Sequence, residues 1–133
     1  MREAGVMLII KDGLILSISR RDDTTKFGLP GGKLEPNELP AQAAVRETLE
    51  ETNVIVNVCT EIFRREERTS GGEVFYTYCY YADDWSGTPK NSEEGVVTWL
   101  TDKELTVTHG AFPDYNRATL DAFRLKYPDI IVK

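Results

Sequence analysis

Six residues stand at a spacing that suits metal or phosphate chemistry: Gly32, Glu38, Arg46, Glu47, Glu50 and Glu51. A glycine-rich turn, Phe27-Gly28-Leu29-Pro30-Gly31-Gly32, leads toward three carboxylates that begin beside an arginine. Carboxylates this close repel one another and cost stability unless something offsets the repulsion. Water and salt can screen an acidic helix face. A hard divalent cation such as Mg²⁺ can instead take carboxylates, water and phosphate oxygens into one octahedral shell. Glycine backbone beside them can offer a carbonyl or approach a phosphate closely. On residue chemistry alone both offsets stay open.

A helix is needed to hold the carboxylates together. Pro40 to Thr52 contains no glycine and opens with proline where a first turn accepts it. At 100° per residue, Ala41, Ala44, Val45, Thr48, Leu49 and Thr52 share one broad face. Glu47, Glu50 and Glu51 fall on the opposite, solvent side, within an arc of roughly 100°. Asn53 then suits a left-handed helix end.

Around this helix, Gly5 to Lys11 and Leu14 to Arg20 flank Asp12-Gly13, which predicts an antiparallel hairpin. Phe27 to Gly32 is too rich in glycine and proline for regular structure. Val54 to Phe63 and Gly72 to Ala82 predict a second hairpin turning at Ser70-Gly71-Gly72. Asp83 to Ser92 reads as a polar loop and Val96 to Leu100 as a short strand. Asp114 to Tyr127 carries Ala118, Leu120, Ala122, Phe123 and Leu125 at broadly helical spacing, and Pro128 ends it. The expected class is α+β, an α/β/α sandwich around a mixed sheet rather than alternating βαβ units.

The 133 residues suffice for one domain, residues 1–133, with no internal repeat or linker. Hydrophobic residues at 41% and charged residues at 29% exclude a disordered or fibrous chain. The net charge of −6 repels a phosphate backbone, and Arg20-Arg21 and Arg64-Arg65 are each followed by acidic residues. A nucleic acid polymer is therefore not an expected partner. A single nucleotide remains one, provided a divalent metal neutralises both sides. Cys59 and Cys79 lie in strand-like stretches without metal spacing and read as free thiols. No run approaches 18 apolar residues and no cleavage site follows the start, so a soluble, cytoplasmic protein without membrane contact is expected.

Residues 32 to 54, GKLEPNELPAQAAVRETLEETNV, resemble the signature of the Nudix hydrolases, which cleave nucleoside diphosphates linked to another moiety. Gly32, Glu38, Arg46, Glu47, Glu50, Glu51 and Val54 match at the required spacing. Thr48 stands where the family has an aliphatic residue, and Asn53 stands for its glycine. Thr48 keeps a branched shape on the core side and Asn53 can still cap the helix. The resemblance implies that Glu47, Glu50 and Glu51 bind Mg²⁺ or Mn²⁺, joined by the carbonyl of Gly31. It implies that Arg46 orients a glutamate through a salt bridge. Glu38 has a supporting role at the helix start, and Lys33 can reach a phosphate. The implied reaction is water attack on a pyrophosphate linkage, with a carboxylate taking the proton. Besides the signature glutamates, Glu93 and Glu94 are candidates for that step, with Glu93 favoured by its distance ahead of Trp99.

Phe112-Pro113-Asp114-Tyr115-Asn116 resembles a stretch in the mutator-type branch that hydrolyses oxidised dGTP, where the asparagine reads the base. An amide both donates and accepts, so Asn116 can pair with a base edge. Phe27, Phe112 and Tyr78 are candidate pocket residues. Tyr76, Tyr78 and Tyr80 alternate, so one strand face is aromatic. The expected activity is hydrolysis of a nucleoside triphosphate, such as an oxidised dNTP, to monophosphate and pyrophosphate by a monomer or homodimer. The alternatives are hydrolysis of a dinucleoside polyphosphate, nucleotide sugar or ADP-ribose, a nucleotide-binding module without catalysis, and an acidic protein-interaction domain.

Overall fold

A computed structural model describes residues 2–68 and 71–133. The chain forms β1 (Arg2–Leu8), β2 (Ile10–Lys11), β3 (Leu14–Ser19), β4 (Phe27–Gly28), β5 (Gly31–Lys33) and α1 (Pro40–Thr52). Then follow β6 (Ile55–Arg68), β7 (Val74–Ser86), β8 (Val97–Leu100), a π-helical turn (Glu104–Thr108) and α2 (Pro113–Lys126). A mixed sheet runs in the order β5-β1-β7-β6, with β1 and β7 parallel and the other pairs antiparallel. A smaller antiparallel sheet is built on β3, with β2 and β4 along one edge and β8 along the other.

The two-residue period of the strands divides the core into two layers. Met7 of β1 and Tyr80 and Ala82 of β7 pack with Ala44 of α1. Leu8 and Cys79, one position along, pack with Leu120 and Phe123 of α2. The two helices therefore cover opposite faces, as the expected α/β/α sandwich requires. Among the described residues no helix is long and apolar enough to cross a membrane. Cys59 and Cys79 are free thiols, and Cys79 is fully buried.

Several local expectations need correction. The first hairpin is confined to β2 and β3, turning at Asp12 and Gly13 with φ of 53° and 80°. The predicted strand Gly5 to Lys11 breaks at Ile9, and β1 leaves for the other sheet. The glycine-rich stretch is not wholly irregular: it supplies β4 and β5, and Gly32 pairs with Gly5, whose missing side chain lets the backbone of α1 at Pro40 and Ala44 settle on β1. β7 extends through the expected polar loop to Ser86, with Trp85 set 6.0 Å from Trp99. Ser70, expected in the second turn, lies outside the described residues. Leu49 and Leu125 were expected on buried helix faces but are 46% and 87% exposed. Leu125 lies opposite the buried face that Asn116, Thr119, Leu120 and Phe123 form on α2, and Leu49 lies outside the arc of Ala43, Ala44, Thr48 and Thr52 on α1.

Candidate active site

Helix α1 begins with Pro40 at its first position, and Gln42 Oε1 accepts the Leu39 N–H at 2.8 Å. It ends at Asn53, whose φ of 67° is left-handed and whose N–H donates to the Leu49 carbonyl at 2.9 Å. Asparagine thus performs the turn for which glycine is the usual choice. Thirteen residues between these ends carry Arg46 and the three glutamates.

Arg46 organises the polar side of the helix. Its Nε and Nη2 fork onto Glu38 at 2.8 and 2.9 Å. Its Nη1 donates to Glu47 at 2.9 Å and reaches Glu50 at 3.3 Å, and Nη2 donates to the Lys33 carbonyl at 3.1 Å. The bonds from Arg46 and from the Glu35 N–H hold Glu38 down at about 2. Glu38 in turn raises Arg46 above the ordinary arginine range. This grip on four residues restrains the segment between β5 and α1 against the helix itself.

Glu47 and Glu51 are not on the open solvent face that helical periodicity predicts. Helix α1 leans on β1 and β5, which brings both carboxylates against glycine backbone. A Cβ at Gly32 would stand 2.5 Å from the Glu47 carboxyl carbon, so only glycine permits the approach. Glu51 accepts the Gly31 N–H at 2.9 Å. Burial is the largest cause that pushes Glu51 up to about 8, and the charges of Glu47, Glu94 and Glu50 add to it. Burial also raises Glu47, against the pull of Arg46. Glu50 stays in solvent.

Among the described residues no three acidic, histidine or cysteine side chains form a ready-made cation cage. The donor chemistry nevertheless fits a hard cation: three carboxylates share one helix, and burial together with neighbouring negative charge disfavours ionisation of the innermost, Glu51, which a cation would offset. Glu94 belongs to this electrostatic cluster, since its charge raises both Glu47 and Glu51. Arg21 Nη2 donates to Glu94 at 2.7 Å. Glu93, the residue favoured on spacing, is an exposed neighbour in the same loop.

A cavity of about 550 Å³ opens beside the cluster. Gly31 and Gly32 line it, as do Phe112 and Asn116 at the start of α2, and Phe75 and Thr77 of β7. Asn116 is 1% exposed, and its Nδ2 donates to the carbonyl of Leu105 in the π-helical turn at 3.2 Å. Anchoring the amide nitrogen leaves Oδ1 as the acceptor. Phe112 is exposed at the cavity, and Lys33 is exposed on β5.

Two candidate pocket residues are placed elsewhere. Phe27 is 8% exposed and packs in the core with Leu105 and Phe123. Tyr78 lies on the α1 face of β7, beneath the Arg64 guanidinium at 5.0 Å, whereas the cavity opens on the α2 face. The alternating tyrosines therefore share the wrong face. The opposite parity, Phe75 and Thr77, supplies the lining that aromatic content alone does not reveal. Sequence reasoning also passed over Leu29, Arg65, Glu67 and Tyr115. Arg65 pairs with Glu67 at 2.8 Å and sits 5.7 Å from the Tyr115 ring centroid.

Residues 1–122 match the NUDIX domain. The CTP pyrophosphohydrolase of Escherichia coli (strain K12) is 31% identical over 107 residues, 78% of either chain. An 8-oxo-dGTP diphosphatase of Haemophilus influenzae is 30% identical over 96 residues, 72% of this chain and 68% of that one. The crystal structure of a MutT NUDIX hydrolase from Burkholderia pseudomallei is similar at a TM-score of 0.77 and 26% identity. That likeness covers 91% of this chain and 96% of the other.

Proposed function

We propose, for a chain that belongs to the NUDIX family, that its pyrophosphohydrolase activity acts on a nucleoside triphosphate and releases monophosphate and pyrophosphate. One juxtaposition carries this reading. Glu47 and Glu51 close on Gly32 and Gly31, and the same glycines line the cavity into which Asn116 is built. A triphosphate whose base enters the cavity would lay its phosphates along that glycine backbone. The two curated relatives are named for triphosphates, one a pyrimidine and one an oxidised purine, which supports the substrate class and leaves the base to experiment.

Glu47, Glu50, Glu51 and the Gly31 carbonyl would hold Mg²⁺ or Mn²⁺. When bound, the cation supplies neutralisation of phosphate charge and Lewis-acid polarisation. The chain's own residues do the rest. Arg46 holds Glu47 and Glu50 in place and ties them to Glu38. A carboxylate of the cluster takes the proton as water oxygen bonds to phosphorus and the bridging P–O bond between the α and β phosphates breaks. Asn116 orients the base, Phe112 offers an exposed ring beside it, and Lys33 is free to approach a phosphate.

A product-resolved panel tests the reading. Canonical and oxidised dNTPs, NTPs, ADP-ribose, dinucleoside polyphosphates and nucleotide sugars would be compared by kcat/KM with Mg²⁺ or Mn²⁺. Glu51→Gln sets the background. Monophosphate and pyrophosphate from a triphosphate are expected, with Asn116→Ala narrowing the preference between bases. A preference for linked diphosphates would overturn the substrate class. No turnover above the Glu51→Gln background would overturn catalysis.

A further inference from the structure

We infer that Arg21, outside the signature, is a positioning residue that holds Glu94 at the edge of the carboxylate cluster as the proton acceptor. The inference rests on the hydrolase reading above and adds to it a residue from a different loop.

The loops bearing Arg21 and Glu94 are fastened together independently of their charges. The Ser19 N–H donates to the Val96 carbonyl at 2.8 Å, and the Val96 N–H donates to Ser19 Oγ at 2.8 Å. Gly95 presses into this junction, where a Cβ would lie 2.5 Å from the Ser19 carbonyl oxygen. Glu94 immediately precedes that glycine, and Arg21 follows Ser19 by two positions. The 2.7 Å bond between Arg21 Nη2 and Glu94 Oε1 therefore closes a gap the backbone has already narrowed. Little loop entropy remains to oppose it.

An ion pair this exposed adds little to folding, so its consequence lies in where Glu94 stands. The charge of Glu94 is felt at Glu47 and Glu51, and at 50% side-chain exposure Glu94 would otherwise drift toward open solvent. Arg21 opposes that drift, much as Arg46 restrains Glu47 and Glu50. In the hydrolytic step the water oxygen bonds to phosphorus, the α–β bridging P–O bond breaks, and pyrophosphate leaves with the bond's electron pair. The water proton passes to the Glu94 carboxylate and then to solvent.

The test is a double-mutant cycle on the full chain: native, Arg21→Ala, Glu94→Gln and the double variant. Each is read by kcat and KM on the best triphosphate, by Mn²⁺ binding without nucleotide, and by Tm. Arg21→Ala is expected to lower kcat about 5- to 20-fold while KM stays within about twofold and Tm within about 2 °C. Arg21→Lys should recover part of that loss. In the Glu94→Gln background the Arg21→Ala change should cost nothing further. Additive losses, or a loss confined to KM, would overturn the inference, because Arg21 would then act on substrate. Native kcat in Glu94→Gln would overturn it as well, leaving Arg21 nothing to position. A native chain that binds Mn²⁺ but cleaves nothing would fail the hydrolase reading first, and the inference with it.

Discussion

Glu51, a carboxylate proposed above to hold a cation, is withdrawn from water and set within the field of Glu47, Glu50 and Glu94. Its folded value of about 8 lies above the ordinary 4.5, so the metal-free fold retains a proton there that the unfolded chain has lost. The resulting stability is complete below about 4.5 and is lost as pH rises through about 8. The Tm of the metal-free chain should therefore fall from pH 5 to pH 8 more steeply than that of Glu51→Gln. At pH 8 the variant should be more stable by about 1–2 kcal/mol, read as a rise of roughly 3–8 °C, while turnover drops at least about 100-fold. Identical slopes in the two chains would remove Glu51 as the titrating group. Glu38 has the opposite sign: its contribution is present above 4.5 and is lost on acidification toward about 2.

Helix α1 departs from the signature at Thr48 and Asn53, and the departures have different costs. Thr48 is fully buried and its hydroxyl finds no hydrogen-bond partner among the described residues. Thr48→Val keeps the shape and removes the unpaired group, so it should stabilise the fold by about 1 kcal/mol, measured by denaturant midpoint at unchanged m. A loss of stability would show that the hydroxyl is satisfied after all. Asn53 is held at a φ of 67° and also donates Nδ2 to the Thr88 carbonyl at 3.0 Å. Asn53→Val should cost about 1–2 kcal/mol because a β-branched side chain resists that conformation. Asn53→Gly should stay much closer to native.

At the scale of the whole molecule, the cavity draws its walls from β1, β5, the β6–β7 hairpin and the start of α2. Strand parity then decides which side chains of β7 can meet a ligand. Thr77→Val, on the cavity face, should raise KM for the preferred nucleotide by about 3- to 10-fold. Tyr78→Phe, on the α1 face, should leave KM within about twofold. Equal effects would mean that the ligand occupies some other part of the surface.

The spacing of Gly32, Glu38, Arg46 and the glutamates was legible along the chain because a helix maps sequence distance onto spatial distance. The bounds of α1 at Pro40 and Thr52, its Asn53 cap and the sandwich class followed from the same local rules. Tertiary packing alone decided that Glu51 is tucked against Gly31 while Glu50 stays in solvent, since α1 settles on β1 and β5. It also buried Phe27, turned Tyr78 to the α1 face and brought Arg21 to Glu94 across 73 positions. Such contacts arise when separate strands join one sheet. No period or motif within a single segment encodes which residues that joining places face to face.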